Sequence, residues 1–518
     1  MPLPRIPSRL APELVPTHPQ GKTMQIHKPR SQPPQDDGVL AGAGASTAPF
    51  HWLQAGLLVA CVVTLASLFG VWTRLAGQLA VFWPANALLL GVLLRFPRLD
   101  TASGWIGGAA GYMVGGWIAG DGLAALVLLT LGNFLSVVTG YLLLARLGPD
   151  DRRLAKPASV LMLVWVIFLS AGASGLGGTL IGPLVFNSPA IESGMAWFVS
   201  EVVNYIAILP AVLTIPVRRL ARPVPRQWRA GHGRHLRRAL PLASLAVSLG
   251  LALVVGGPGA IAFPVPALLW CGMAYGLFGT SVLTLLTTTW MLLAISKGQL
   301  DMSVQVDTPQ MLMSVRLGVT LIALSPIAVA SAMATHTALT RRLRHMAEHD
   351  PLTGTMNRRA FSDHAGQALR QARIARAPAG LLILDIDHFK SVNDSYGHAA
   401  GDLVIVHIAN CLRRHLPEGP PLLGRLGGEE FAVLLPYCTR QQTLEIAERM
   451  RQACAETAVD IGDGRLVTAT ASIGACVALP AIEQLDQMLQ CADGALYQAK
   501  HDGRNRVILA EWVASVER

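Results

Sequence analysis

The sequence predicts a polytopic α-helical membrane domain followed by an α/β domain, and three observations predict it. Of 518 residues, 52% are hydrophobic and only 14% charged, with a mean hydropathy of +0.44; a chain this apolar is read as membrane-spanning. The apolar excess fills residues 52 to about 336, whereas residues 345–518 mix polar and apolar positions as a soluble domain does. Within that second part, Gly427-Gly428-Glu429-Glu430-Phe431 lies between the apolar runs Leu422-Leu423 and Phe431 to Leu435. Its glycines read as the tight turn of a β-hairpin with two carboxylates at the tip, a place to hold a metal or a phosphate.

Residues 1–51 contain ten prolines and no apolar run long enough to bury, so they read as a disordered, mildly basic tail. The first apolar segment, Trp52 to about Thr73, begins too late and runs too long for a cleaved leader. Further segments lie near 79–95, 103–119, 122–146, 157–182, 195–217, 239–256, 260–277, 279–296 and 310–335, most of them close to the roughly 20 residues that span a bilayer. The glycine-rich third segment and the Gly276 to Gly279 break leave the number of spans at eight to ten.

The net charge of +10 is concentrated: eight arginines fall between Arg218 and Arg238, with no acidic residue among them. This is the positive-inside signal, and contact with anionic lipid heads is its second reading. Counting ten spans puts the tail, Arg95 with Arg98, Arg152-Arg153-Lys156, the Arg218 to Arg238 loop and Arg341-Arg342-Arg344 on one side, so both termini are expected in the cytoplasm. The nearly uncharged turns and the Lys297 to Asp307 loop fall on the other. A single aromatic, Trp228, lies among the basic residues, too few for a stacking surface, which argues against nucleic acid as a partner. Seven scattered cysteines, with no Cys-x-x-Cys and no His pair at ligand spacing, indicate neither a zinc site nor a disulfide framework.

Within the apolar region, Asn86, Asn133, Glu201 and Asn204 are polar where desolvation is costly, and each is a candidate for sensing a ligand. The plainer reading is an inter-helix hydrogen bond, or for Glu201 a place near the outer interface. The last segment runs into Ala332, His336, Leu339, Leu343 and Met346 at spacings of three and four, a short coiled-coil seam or a plain amphipathic helix that carries the membrane domain into the soluble one.

Phe82-Trp83-Pro84-Ala85-Asn86-Ala87, Leu131-Gly132-Asn133-Phe134 and the Ala274-Tyr275-Gly276 region resemble the first class of bacterial membrane-associated sensor domains (MASE-type). The resemblance covers about 280 residues and implies a signal ligand, of unknown identity, at the membrane domain. A small transporter would have a similar texture.

The soluble part is denser in motifs. Asp350-Pro351-Leu352-Thr353-Gly354 and Asn357-Arg358-Arg359 precede a strand, Leu381 to Leu384, that ends in Asp385-Ile386-Asp387-His388-Phe389-Lys390. A carboxylate at a strand's carboxyl end is where nucleotide and metal sites collect in α/β domains. Asn393, Asp394, Gly397, His398, Gly401 and Asp402 follow, then an apolar helix from Leu403 to Leu416. After the hairpin come a helix from Leu444 to Thr457, a strand from Leu466 to Val477 with Ser472-Ile473-Gly474, and Lys500-His501-Asp502-Gly503-Arg504-Asn505 at the end of a last helix.

This series resembles, in order and spacing over about 165 residues, the GGDEF domain of bacterial diguanylate cyclases in its Gly-Gly-Glu-Glu-Phe form. The resemblance implies an adenylyl-cyclase-like (ferredoxin-like) α+β sandwich with a mostly antiparallel sheet. It also implies a homodimeric enzyme of the bacterial inner membrane that joins two GTP into cyclic di-GMP and two pyrophosphates. Two Mg²⁺ ions per site are implied, with Mn²⁺ able to substitute; hard oxygen ligands suit such ions. By resemblance Asp385, the carbonyl of Ile386 and Glu429 hold metal, and Glu429 deprotonates the attacking hydroxyl. Lys390, a catalytic position, and Lys500 and Arg504 meet phosphates; Asn393 and Asp402 read guanine; His398 and Phe389 are further substrate contacts. Taken alone, Lys500 and Arg504 would be a solvated helix end.

The expected parts are therefore a tail (1–51), a membrane sensor (52–336), a signalling helix (337–349) and the cyclase domain (350–514). Two departures from the family pattern stand out. Thr355 replaces the usual leucine of a Leu-Thr-Gly-Leu run, a change expected to be mild. The inhibitory product site of many relatives is an Arg-x-x-Asp with five residues between it and the first glycine, and Glu418 and Pro421 occupy its two key positions, so no inhibitory product site is expected. Two other functions compete with the regulated cyclase: a catalytically silent GTP-binding module on a membrane sensor, and a transporter with a regulatory nucleotide domain.

Overall fold

The computed structural model describes residues 48–73, 82–216, 232–302, 309–462, 464–478 and 485–510. The tail through residue 47, Arg218 to Arg229 of the basic loop, residues 303–307 of the Lys297 to Asp307 loop and residues 511–514 lie outside them.

Among the described residues eleven α-helices precede the sheet: α1 (Ala48–Trp72), α2 (Ala85–Arg95), α3 (Ala102–Ile118), α4 (Leu123–Ala145), the single turn α5 (Pro149–Arg152), α6 (Pro157–Phe186), α7 (Ala190–Leu213), α8 (His232–Val255), α9 (Pro264–Ser296), α10 (Pro309–Ile322) and α11 (Leu324–Glu348). Six stretches among the described residues are long and apolar enough to cross a membrane: Trp52–Trp72, Leu123–Ala145, Pro157–Phe186, Ala190–Leu213, Pro258–Ser296 and Met311–Glu348. Ala85–Arg95 and Ala239–Val255 are shorter apolar helices. The glycine-rich third segment is a helix because it lies against α1, where a Cβ on Gly107 would collide with the Gly56 carbonyl oxygen, the close backbone approach that small residues permit in membranes. The expected break falls inside α9, at Gly276, whose φ of 71° and ψ of 177° divide the helix. At the centre stands α7, buried at every position from Glu201 to Leu213 and packed by α2, α6, α9 and α10.

No loop separates the membrane domain from the signalling helix, since α11 runs unbroken from Leu324 to Glu348. It is pinned near its middle, where the Ser331 and Thr335 hydroxyls donate to the carbonyls of Leu154 and Ala155, each at 2.7 Å. Beyond that point Leu339, Leu343 and Met346 of the expected seam are more than half exposed in the single chain.

The soluble domain is built from β1 (Met356–Asn357), α12 (Arg358–Ile374), β2 (Ala379–Ile386), α13 (Phe389–Tyr396), α14 (His398–Arg414), β3 (Leu422–Gly427), β4 (Glu430–Pro436), α15 (Arg440–Glu456), β5 (Ala458–Asp460), β6 (Leu466–Thr468), β7 (Ala471–Ala478), α16 (Leu485–His501) and β8 (Val507–Ala510). Six strands form a sheet in the order β1-β3-β4-β2-β7-β8, while β5 and β6 pair separately. The inner pairs are antiparallel, and only β1 with β3 and β7 with β8 run parallel. This is the mostly antiparallel α+β sandwich the sequence led us to expect. β2 is buried at all eight positions because its alternate side chains feed two cores. Leu382, Leu384 and Ile386 join residues of α14 and α15, and Leu381 and Ile383 join residues of α12 and α16.

Two expected elements are corrected. The strand expected from Leu466 to Val477 is divided into β6 and β7, and the helix expected to begin at Leu403 begins at His398. His398, Gly401 and Asp402 therefore sit on the first turns of α14. Gly401 is there for contact rather than for a break: a Cβ would collide with Asn393 Oδ1 and come within 3.1 Å of the Phe389 ring.

Candidate active site

The antiparallel pairing of β2 with β4 and β7 places Asp385 opposite Glu430 on one side and Ser472 on the other. Next to Glu430, the hairpin turns through Gly428 and Glu429, with Gly428 in the left-handed region at φ 52°. The tip is thereby brought to the carboxyl end of the central strand. The Asp385 carboxylate is buried, and Lys500 of α16 lies 2.8 Å from its Oδ2. Burial pushes the Asp385 carboxyl above its ordinary range, Lys500 opposes that, and the charges of Glu429 and Asp387 add to the upward push. Partial burial and the nearby Asp385 also raise Glu430. Several carboxylates are thus crowded against one ammonium, an arrangement that favours a cation.

Phe389, Lys390 and Asn393 come from α13, which begins just past the end of β2. The Phe389 ring is buried in the core. Lys390 is exposed. Asn393 holds its Oδ1 buried without a hydrogen-bond partner, against α14, where Gly401 makes room for it and the exposed Asp402 follows. His398 is exposed at the start of α14, as is Arg504 beyond α16.

Two supporting contacts were not foreseen from the sequence, although Arg425 itself stands out there as an arginine near the hairpin that cannot replace the missing inhibitory pair. Asp387 accepts hydrogen bonds from the hydroxyls of Ser472 (2.6 Å) and Thr470 (2.8 Å) and from the Asn505 N–H (3.0 Å). It thereby fastens the loop that carries Arg504 to the end of β2; its spacing of two from Asp385 was the available signal. Arg425 ties Asp350 to the hairpin, a contact across 75 residues that no local pattern announces. At the first departure from the family pattern, the Thr355 hydroxyl is buried but paired with that of Thr353 at 2.8 Å. At the second, Glu418 is exposed in a bend, and Pro421 leads into β3.

The donor set fits a hard divalent cation: the carboxylates of Asp385 and Glu429 beside the Ile386 main chain, all oxygen. Among the described residues no three acid, His or Cys side chains converge as a metal cage, so such an ion would complete its shell with main-chain, water and phosphate oxygens.

In the membrane domain three of the four polar residues singled out meet one another. Asn86 Nδ2 lies 3.0 Å from Glu201 Oε1 and 3.2 Å from Asn133 Oδ1. Tyr112 donates to Asn86 Oδ1 at 2.6 Å, and Ser136 joins Glu201 to Tyr205. Glu201 is therefore deep in the bundle rather than at an interface, and its hydrogen bonds run between helices. Asn204 stands apart, accepting from the Trp83 N–H at 2.9 Å and donating to the Ser200 carbonyl.

A multi-span bundle whose last helix enters an acidic-tipped α+β domain defines a membrane-anchored signalling protein with a nucleotide-cyclase type of output domain. Comparison with known families agrees over nearly the whole described chain: residues 54–338 match the MASE1 family and residues 347–506 the family described as diguanylate cyclase, GGDEF domain. The chain belongs to the MASE1-linked GGDEF diguanylate cyclase family, and it is a multi-pass protein of the bacterial membrane with its GGDEF domain on the cytoplasmic side. It is 30% identical over 469 residues, 88% of this chain and 94% of the relative, to the probable diguanylate cyclase DgcF of Escherichia coli O157:H7. It is 38% identical over 172 residues, 33% of this chain and 40% of the relative, to the diguanylate cyclase DgcM of Escherichia coli K12. Among solved structures, the GGDEF domain of DgcB from Caulobacter crescentus, in complex with c-di-GMP, is 34% identical over 32% of this chain and 94% of that one, with a TM-score of 0.31.

Proposed function

We propose that this protein condenses two GTP into cyclic di-GMP and two pyrophosphates, as a homodimer governed by its membrane domain. The observation that carries the proposal is the meeting of an acidic pair, Asp385 and Glu429, with a cation, Lys500, at the end of β2. A divalent ion held by Asp385, the Ile386 carbonyl and Glu429 would offset the negative charge of the triphosphate and its leaving group.

The side chains supply the rest. Asn393 and Asp402 suit the guanine edge, since an amide and a carboxylate match its donors at N1 and N2 and its acceptor at O6; the unpaired buried Asn393 Oδ1 supports this assignment. The first turn of α13, with Lys390, and the cations Lys500 and Arg504 receive phosphate oxygens. His398 sits one turn before Asp402 on α14, so the same substrate would pass it. Glu429 accepts the proton of the attacking 3′-hydroxyl at its carboxylate. Each 3′-oxygen then forms a bond to the α-phosphorus of the other GTP as the bond to pyrophosphate breaks.

One domain holds one GTP, so two copies must face each other for the ring to close. The exposed seam of Leu339, Leu343 and Met346 on α11 supports that pairing. The test is to incubate the purified full chain with GTP and Mg²⁺ and to quantify both products. Two pyrophosphates per cyclic di-GMP are expected; GTP bound but unconverted would mean a silent regulatory module.

A further inference from the structure

Arg316 lies in α10, about seven residues and so roughly 10 Å from the start of that helix, within the stretch Met311–Glu348 that is apolar enough to cross a membrane. It is only 7% exposed, so it points neither to lipid nor to water. Its Nε and Nη2 are buried and hydrogen-bond to nothing. Among the described residues no carboxylate pairs with it. A guanidinium enclosed in a membrane domain is strongly unfavourable unless something compensates it, and natural bundles place such groups where a ligand or an ion passes.

A second observation lies on the neighbouring helix. α10 packs against α7 and α9, and on α9 the Ser281 and Thr284 hydroxyls, three residues apart and so on one helix face, are also buried without hydrogen-bond partners. The acid of the bundle is engaged elsewhere: Glu201 is held by Asn86 and Ser136. The unmatched groups on α9 and α10 are therefore a cation with a planar donor fork and two hydroxyls. A buried guanidinium with free donors suits an oxyanion, and the two free hydroxyls lie on a helix that α10 packs against.

We propose that Arg316 anchors a binding site in the membrane domain for an oxyanion, the carboxylate or phosphate group of a ligand. The ligand would approach from the membrane face opposite the cyclase domain, because α10 starts at that face and α11 leaves toward the soluble domain. The inference deepens the reading of residues 52–336 as a sensor by naming the chemistry of its signal. α10 ends at Ile322 and α11 begins at Leu324, so a ligand on Arg316 would grip the segment directly joined to the signalling helix. The anion could come from a lipid headgroup or from solution.

The experiment reads binding rather than turnover, so it stands whether or not the soluble domain is an active cyclase. The full chain is placed in nanodiscs of phosphatidylcholine, and its thermal unfolding is followed while sodium phosphate or sodium acetate is titrated at constant ionic strength. A parallel series uses nanodiscs with phosphatidylglycerol admixed and no added anion. A saturable rise in Tm is expected in at least one arm, since a ligand that binds only the folded state stabilises it. A rise with phosphate or acetate assigns a soluble anion, and a rise only with phosphatidylglycerol assigns a headgroup. Arg316→Gln should abolish the response, and Arg316→Lys, which keeps the charge and loses the fork, should need about tenfold more anion or more. Ser281→Ala provides a milder variant that should weaken binding if Arg316→Gln is not recovered folded. No rise in any arm, or the same response in wild type and in the variants recovered folded, would overturn the proposal.

Discussion

Arg425 links the first residue of the soluble domain's opening motif to the turn of its acidic hairpin. Its Nη1 lies 3.1 Å from Asp350 Oδ1, and its Nε donates to the Gly428 carbonyl at 2.9 Å. Asp350 comes two residues after the end of α11, so one guanidinium touches both the exit of the signalling helix and the residue before Glu429. Burial pushes the Asp350 carboxyl up, but its hydrogen bonds from Thr353 and the Arg425 guanidinium outweigh this and hold it below the ordinary carboxylate range.

The first prediction concerns that pair. Arg425→Ala should leave the fold intact, cost about 1 kcal/mol of stability, and lower turnover more than GTP binding, because the turn loses its tie. A carboxyl depressed in the folded state stabilises above its unfolded pKa, and that stabilisation is lost as pH falls through the lower, folded value. The difference in Tm between wild type and variant should accordingly narrow below about pH 4. Unchanged kcat would detach the pair from the site.

The second prediction concerns Lys500. It neutralises a carboxylate that is nearly enclosed, so Lys500→Met should cost about 1–3 kcal/mol when measured with a chelator present, by leaving Asp385 without its cation. The variant should also need more GTP for half-maximal rate. If stability in chelator is unchanged, the 2.8 Å contact contributes nothing to the fold.

The third prediction concerns feedback. A product dimer gripped by an arginine and an aspartate relies on charge-assisted hydrogen bonds and guanidinium stacking. Glu418 would repel its phosphates, and Pro421 offers neither a carboxylate nor an N–H. Initial rates on nucleotide-stripped protein, with cyclic di-GMP added at several GTP concentrations, should show at most weak inhibition competitive with GTP. Noncompetitive inhibition that vanishes when Glu418, Pro421 and Arg425 are replaced together would refute this.

The fourth prediction is that specific activity of the detergent-solubilised chain falls on dilution, as the two half-sites separate. A monomer by sedimentation with constant specific activity would contradict the requirement for two copies.

The hairpin was legible because its signal is local: two glycines between apolar runs fix a turn whatever surrounds it. The end of β2 was legible for the same reason, an apolar strand stopped by carboxylates. What escaped was set by distant contacts. Gly401 lies inside α14 rather than before it, because Asn393 and Phe389 need its missing side chain. Asp350 and Arg425 are joined through the parallel pairing of β1 with β3, where Asn357 stands opposite Arg425. In the membrane domain, desolvation marked Asn86, Asn133 and Glu201 one by one, but helix packing alone decides that they share a network.

The most direct test of the central reading is a side-by-side assay of the full-length wild type and Glu429→Gln with GTP and Mg²⁺, with cyclic di-GMP quantified by chromatography. The substitution removes a charge at the tip of the hairpin with little change of shape, so both chains should have the same Tm without ligand. Cyclic di-GMP should form with the wild type and fall by at least about a hundredfold in the variant. Equal rates in the two would remove Glu429 from the chemistry, and no cyclic di-GMP from a folded, GTP-bound wild type would contradict the assignment of cyclase activity itself.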